Sequence, residues 1–197
     1  MPWKKSFDED HAIQNAMQVF WAKGYEAASI SDLTDALQVN RSSLYNAFGG
    51  KEALFLKSLQ RYEEDRKALL AELEALDQPV LAIHRFIDTV VDSSASDKQK
   101  KGCFLFNTVQ EIGVHGDQVT AVVNAGVFEV ERFLQRCLEV AQARQQIEAS
   151  IQPEVTAKLL LAAIIAIRSL GRGVYKREEL EIIAEQAKRL VKVEQSH

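Results

Sequence analysis

The sequence predicts an all-α protein, a small three-helix unit followed by a larger helical body, and three observations predict it. Hydrophobic residues make up 47% of the 197 positions, enough to fill a core of that size. Nine glycines and three prolines leave room for long uninterrupted helices. Apolar residues recur three and four apart through most of the chain, and no period-2 run bounded by turn residues competes with them. The predicted division is 1–50 and 51–197, with a helix from 51 to about 76 joining the two parts.

From Asp8 to Lys23 the stretch reads as an amphipathic helix, with Ala12, Ile13, Ala16, Met17, Val19 and Phe20 inward and Gly24 ending it. Lys4 and Lys5 precede it as a short basic arm able to touch phosphate or a minor groove.

The organising stretch runs from Ser29 to Lys51. Ser29 is an N-cap with Asp32 three residues on, where Ile30, Leu33 and Leu37 begin an apolar stripe. Gln38, Val39 and Asn40 make a turn, and Asn40 caps the next helix. Val39 and Leu44 stand at the two positions of a hydrophobic staple, which fixes the angle at which that helix enters. Leu44 and Phe48 face inward, so Arg41, Ser42, Tyr45 and Asn46 point outward until Gly49 and Gly50 end the helix. An exposed guanidinium, hydroxyls and an amide suit base edges and phosphates in a DNA major groove.

Phe20, Gly24, Tyr25, Ser29, Ile30, Asp32, Leu33, Val39, Ser43, Leu44, Tyr45, Phe48, Lys51, Glu52, Leu54 and Phe55 together resemble the DNA-binding domain of TetR/AcrR-type bacterial transcriptional regulators. The resemblance covers the first quarter to third of the chain. It implies an N-terminal helix-turn-helix DNA-binding domain, a larger C-terminal helical domain for effector binding and dimerisation, and a homodimeric repressor released from a double-stranded palindromic operator by a small-molecule effector. It also implies that Ser43, Tyr45 and Lys51 lie at phosphates and that Arg41, Ser42 and Asn46 lie near base edges, with Ser29 also among the DNA-binding residues. Gln38 stands where the family often has glycine, and Ala47 where it often has a His or Tyr on phosphate.

Charge narrows the means of binding. The net charge of −4 argues against indiscriminate coating of nucleic acid. Residues 1–50 carry four basic and six acidic side chains, so specific contacts must come from a local arrangement. The two cysteines, Cys103 and Cys137, lack zinc-ligand spacing and suit a reducing, cytoplasmic setting. The longest apolar run, Leu159 to Ile167, is too short to span a bilayer, so no membrane segment is expected. No catalytic set, cofactor motif or paired metal ligands can be pointed to, which leaves a helical protein–protein interaction module as the alternative to a DNA-binding regulator.

The remaining helices follow in order. Leu54, Leu56, Leu59 and Leu69 pattern the helix from Lys51, whose run Glu63, Glu64, Asp65, Arg66, Lys67 reads as a solvated face. Pro79 opens a helix with Ile83, Phe86, Ile87, Val90 and Val91 inward, closed by a polar loop from Ser93 to Lys101. A helix begins near Cys103, and Glu111 and His115 stand four apart after it. Helix N-terminus and nearby Lys100 and Lys101 would favour a Cys103 thiolate and hence an oxidant or electrophile sensor; burial in a pocket wall would make it inert.

A long helix spans about Asp117 to Gln146, and Pro153 opens one that is apolar all round. The last runs from about Glu178 to Val193, and these final two helices read as a two-fold four-helix dimer interface. Phe86, Val90, Cys103, Phe106, Asn107, Glu111, Phe128 and Arg168 are the expected lining of an effector pocket for a small, partly hydrophobic ligand.

Overall fold

A computed structural model describes residues 8–191, so Lys4 and Lys5 lie outside the described residues. Nine α-helices and one short 3₁₀ turn account for the described secondary structure, in the order α1 (Glu9–Lys23), α2 (Ile30–Leu37), α3 (Arg41–Phe48), α4 (Lys51–Glu74), α5 (Pro79–Ser96), α6 (Phe104–Gln110), the 3₁₀ turn Ile112–Val114, α7 (Asp117–Ala143), α8 (Pro153–Leu170) and α9 (Arg177–Arg189). The protein is all-α, with an N-terminal helix-turn-helix and a larger C-terminal helical part.

The N-terminal helices start and stop where side chains satisfy their free ends. Asp8 caps α1 by accepting from the N–H groups of Asp10 and His11. Ser29 and Asp32 form a reciprocal capping box at α2, and Asn40 accepts from Ser43 N–H at 2.8 Å to start α3. The turn between α2 and α3 places Gln38 in the left-handed region at φ 53° without a glycine. Gly49 takes φ 82° at the C-terminus of α3.

Phe20, Leu33, Leu44, Leu54 and Phe55 are fully buried and lock α1, α2, α3 and the first turns of α4 into one packed unit. The rest of α4 continues into the C-terminal part and packs on α5, α6 and α7. Phe104, Leu105, Phe133, Leu134, Ile83 and Ile87 fill the core there.

Several boundaries and faces differ from the sequence expectation. Helix α5 extends through Ser93 to Ser96, where Ser94 is buried and the Ser93 hydroxyl donates to the Thr89 carbonyl at 2.6 Å instead of opening the chain into a loop. The run from Glu63 to Lys67 is not simply a solvated face. Glu63 is only 4% exposed and pairs with Arg66, whose Nε donates to Glu63 Oε1 at 3.1 Å and whose Nη2 donates to Oε2. The pair fits because Gly126 on α7 faces it, where a Cβ would lie 2.9 Å from the Glu63 carboxyl carbon. Helix α9 ends at Arg189, earlier than the apolar spacing suggested.

Candidate functional site

Two features define the site, an outward face on α3 and a cavity behind α1. Arg41, Ser42, Tyr45, Asn46 and Ala47 are exposed on α3, while Leu44 and Phe48 on the opposite side are buried. Tyr45 is 43% exposed, and the Arg41 guanidinium stands 5.7 Å from its ring centre. No ion pair engages Arg41 among the described residues, so its charge faces outward. Asp32 pairs with Lys23 at 2.5 Å, and this bond together with those from Ser29 pulls its carboxyl down to about 2.

Other residues of the expected DNA face are committed within the fold. The Ser29 hydroxyl donates to Asp32 Oδ2 at 2.8 Å and its N–H donates to the same oxygen, so both donors serve the cap. Lys51 Nζ donates to the Glu26 carbonyl at 3.3 Å and sits 4.6 Å from the Tyr25 ring centre. Ser43 is half-buried, with its N–H on the Asn40 cap.

The cavity, of about 340 Å³, lies between both parts of the molecule. Phe86, Val90, Cys103, Phe106 and Arg168 line it. Three expected members lie elsewhere. Phe128 is 52% exposed on the outer side of α7. Asn107 donates to the Lys101 carbonyl at 2.6 Å and accepts from Arg172, which turns its amide into the loop before α6. Glu111 reaches the end of α1, where it accepts from the Tyr25 N–H at 3.0 Å.

Sequence reasoning missed the wall supplied by α1 and α4. Gln14, Met17, Gln18 and Trp21 come from α1, and Tyr62, Asp65, Arg66 and Leu69 from α4. Trp21 Nε1 donates to the Gly102 carbonyl at 3.1 Å, fastening α1 to the segment before α6. A one-sided helical pattern cannot reveal such a wall, since exposed Gln14 and Gln18 and half-buried Trp21 read equally well as surface.

Cys103 is 4% exposed at the N-cap of α6, and its sulfur accepts from the Tyr62 hydroxyl at 3.3 Å. Burial pushes the Tyr62 phenol well above its usual range, so it stays a neutral donor. The Lys101 ammonium is held by Gln18 at 2.8 Å and by the Trp21 ring at 4.4 Å. His115 and Glu111 share no metal geometry. The His115 ring lies flat on Phe55 with centres 4.7 Å apart, and no group of three metal-binding side chains occurs among the described residues.

A continuous aromatic path joins the start of α4 and the end of α1 to the cavity. His115 meets Tyr25 and Phe55, Phe55 meets Phe104, and Phe104 meets Tyr62 and Trp21 at the cavity, with ring centres between 4.7 and 6.4 Å. A capped helix-turn-helix with an outward Arg and Tyr, backed by a cavity touching its first helix, defines a DNA-binding transcriptional regulator with a helical sensor part.

Comparison with known proteins agrees along most of the chain. Residues 12–57 match the family of bacterial regulatory proteins of the tetR type, and residues 79–186 match the tetracyclin repressor-like C-terminal domain. The chain belongs to the TetR family. The HTH-type transcriptional repressor ComR of Escherichia coli is 30% identical over 148 residues, covering 73% of this chain and 69% of that one. The repressor DhaR of a Mycobacterium species is 27% identical over 78% of this chain and 76% of its own. Among solved structures, a cysteine mutant of the TetR family regulator CifR complexed with 26-bp operator DNA superposes with TM-score 0.81 at 27% identity, covering 94% of this chain and 97% of that one. The reduced form of NemR from E. coli shares the fold at TM-score 0.85 and 18% identity over 95% and 98% of the two chains.

Proposed function

We propose that this chain is a homodimeric repressor that holds a palindromic operator with α3 and releases it when a small molecule enters the cavity behind α1. The observation that carries the reading is the outward face Arg41, Ser42, Tyr45, Asn46 on a helix whose entry, exit and inner face are all fixed. Arg41, Ser42 and Asn46 reach base edges; Ser43 and Tyr45 position the helix on phosphate. Lys51 joins them by exchanging the Glu26 carbonyl for a phosphate oxygen, and Lys4 and Lys5 extend the contact toward the backbone. The DNA-binding domain is taken as residues 1–50 and the effector and dimer domain as 51–197, with α4 linking them.

Dimerisation through α8 and α9 is supported by the apolar side chains they leave uncovered. Val155 and Leu159 on α8 and Ile182 on α9 are each more than half exposed, and Val174 and Tyr175 between the helices are exposed as well. Release follows from the position of the cavity. A ligand there touches α1 and α4 at once, so its volume tilts the helix-turn-helix unit against the rest and changes the distance between the two α3 helices of the dimer. A cytoplasmic site of action fits this role, as operator DNA is there, and no described helix is long and apolar enough to cross a membrane.

Footprinting on the DNA upstream of the protein's own gene tests the reading. Two protected half-sites related by two-fold symmetry are expected; a uniform or absent footprint on every upstream fragment contradicts it and favours the interaction module.

A further inference from the structure

We infer that the effector is a small organic anion, a carboxylate on an apolar body, whose charged group is received by Arg66 and Arg168. The inference rests on the reading of this cavity as the effector site and adds the chemistry of its occupant. Arg66 is 90% buried at its side chain and lines the cavity. Its Nε and Nη2 are taken by Glu63, but Nη1 is buried without any hydrogen-bond partner. A buried guanidinium nitrogen needs an acceptor, and the ion pair with Glu63 supplies none at that position.

Arg168 enters the same cavity from α8 and has no hydrogen-bond or ion-pair partner among the described residues. Its charge acts on the Tyr62 phenol across the cavity. The one acid in the lining, Asp65, is bound by Arg61 at 2.5 Å. With Glu63 and Asp65 each satisfied by its own arginine, the cavity keeps one uncompensated positive charge, that of Arg168, and the free Nη1 of Arg66. Arg168 presents an unoccupied planar fork suited to a carboxylate, and Arg66 Nη1 adds a further donor group.

Much of the remaining wall is apolar. Trp21, Phe86, Val90, Phe106 and Ile164 supply it, with Gln14, Gln18 and Tyr62 as neutral polar members. A volume of about 340 Å³ holds a compact ligand, at the lower end of the range for small-molecule sites. An aryl-alkanoic or medium-chain acid therefore places its carboxylate on the arginines and its body against Trp21, the residue that fastens α1 to Gly102.

Trp21 also reports binding without DNA. In a Trp3→Phe protein Trp21 is the single indole, and its fluorescence is titrated with phenylacetate, 3-phenylpropionate and octanoate and with the three corresponding primary amides. At least one carboxylate is expected to give a saturable change at least ten-fold tighter than its amide. Arg168→Gln, which leaves no partner unpaired, should weaken that binding ten-fold or more. Glu63→Gln combined with Arg66→Gln removes the buried charges together, and with an unchanged melting temperature it too should weaken binding. No saturable change with any of the three acids, equal binding of acid and amide, or unaltered binding by Arg168→Gln would overturn the inference. Carboxylate binding that leaves an operator complex intact upholds the ligand class and contradicts only the release step.

Discussion

The Glu111 carboxylate accepts the backbone N–H of Tyr25 across 3.0 Å, so the end of α6 holds the second residue after α1. Gly24, beside it at φ 80°, also leaves the room this needs, since a Cβ there would come within 2.5 Å of Glu111 Oε1. Hydrogen bonds to charged groups contribute about 1.5–3 kcal/mol, less when half exposed as here. Glu111→Ala is expected to lower stability by about 1 kcal/mol, a fall of roughly 2–4 °C in Tm for a chain of this size. Glu111→Gln, which keeps an acceptor, should recover most of it in thermal melts.

Gly126 reverses an ordinary helix rule. Alanine in a helix interior normally gains about 1 kcal/mol over glycine. On α7 its Cβ would press on the Glu63 carboxylate and stand 3.0 Å from Leu105 Cδ1, disturbing a buried ion pair. Gly126→Ala should therefore destabilise the protein by about 1–3 kcal/mol in urea unfolding. A gain in stability would show that the Glu63 carboxylate is not held there.

His115 makes the junction sensitive to acid. Burial against Tyr25 and Phe55 pushes its pKa below 6.5, while Glu111, Glu52 and Glu26 pull the other way, and both ring nitrogens lack partners. The folded protein thus binds this proton less readily than the unfolded chain. Stability contributed by the neutral ring is present above about pH 6.5 and is lost as pH falls through the depressed folded value. Melts at pH 7.5 and 5.5 should show a smaller acid loss in His115→Phe than in the parent; the His84 ring, also held down by burial, is common to both.

Arg41 and Tyr45 should carry operator recognition without carrying the fold. Both are exposed on α3 and neither helps to bury the core. A good base contact is worth about 1–3 kcal/mol, so Arg41→Ala should weaken specific binding about 10- to 100-fold per half-site. Tyr45→Ala should weaken it through phosphate positioning. Gel shifts measure the loss, and unchanged sedimentation would confirm that the assembly is intact.

How much of this was legible depends on how local each feature is. The caps at Ser29 and Asn40 and the inward pair Leu44 and Phe48 lie within a few residues of what they organise, so the helix-turn-helix could be read directly. The cavity depends on which faces of six helices converge. Phe86 and Val90 share the inner face of α5 and were readable, but Phe128 was assigned inward on a helix whose register against α8 no local pattern reveals. The Glu63–Arg66 pair reads as solvated charge because its burial comes from a helix distant in sequence, at Gly126. The signal available was Gly126, a glycine within a helix otherwise rich in good helix formers, which marks a close approach.

Fluorescence anisotropy of labelled upstream DNA, titrated with the protein at two salt concentrations against scrambled competitor, tests the central claim most directly. The account predicts binding well above the scrambled control, with a moderate salt slope because few lysines and arginines face the DNA. Equal, weak binding to upstream and scrambled DNA at both concentrations, across all upstream fragments, would contradict it.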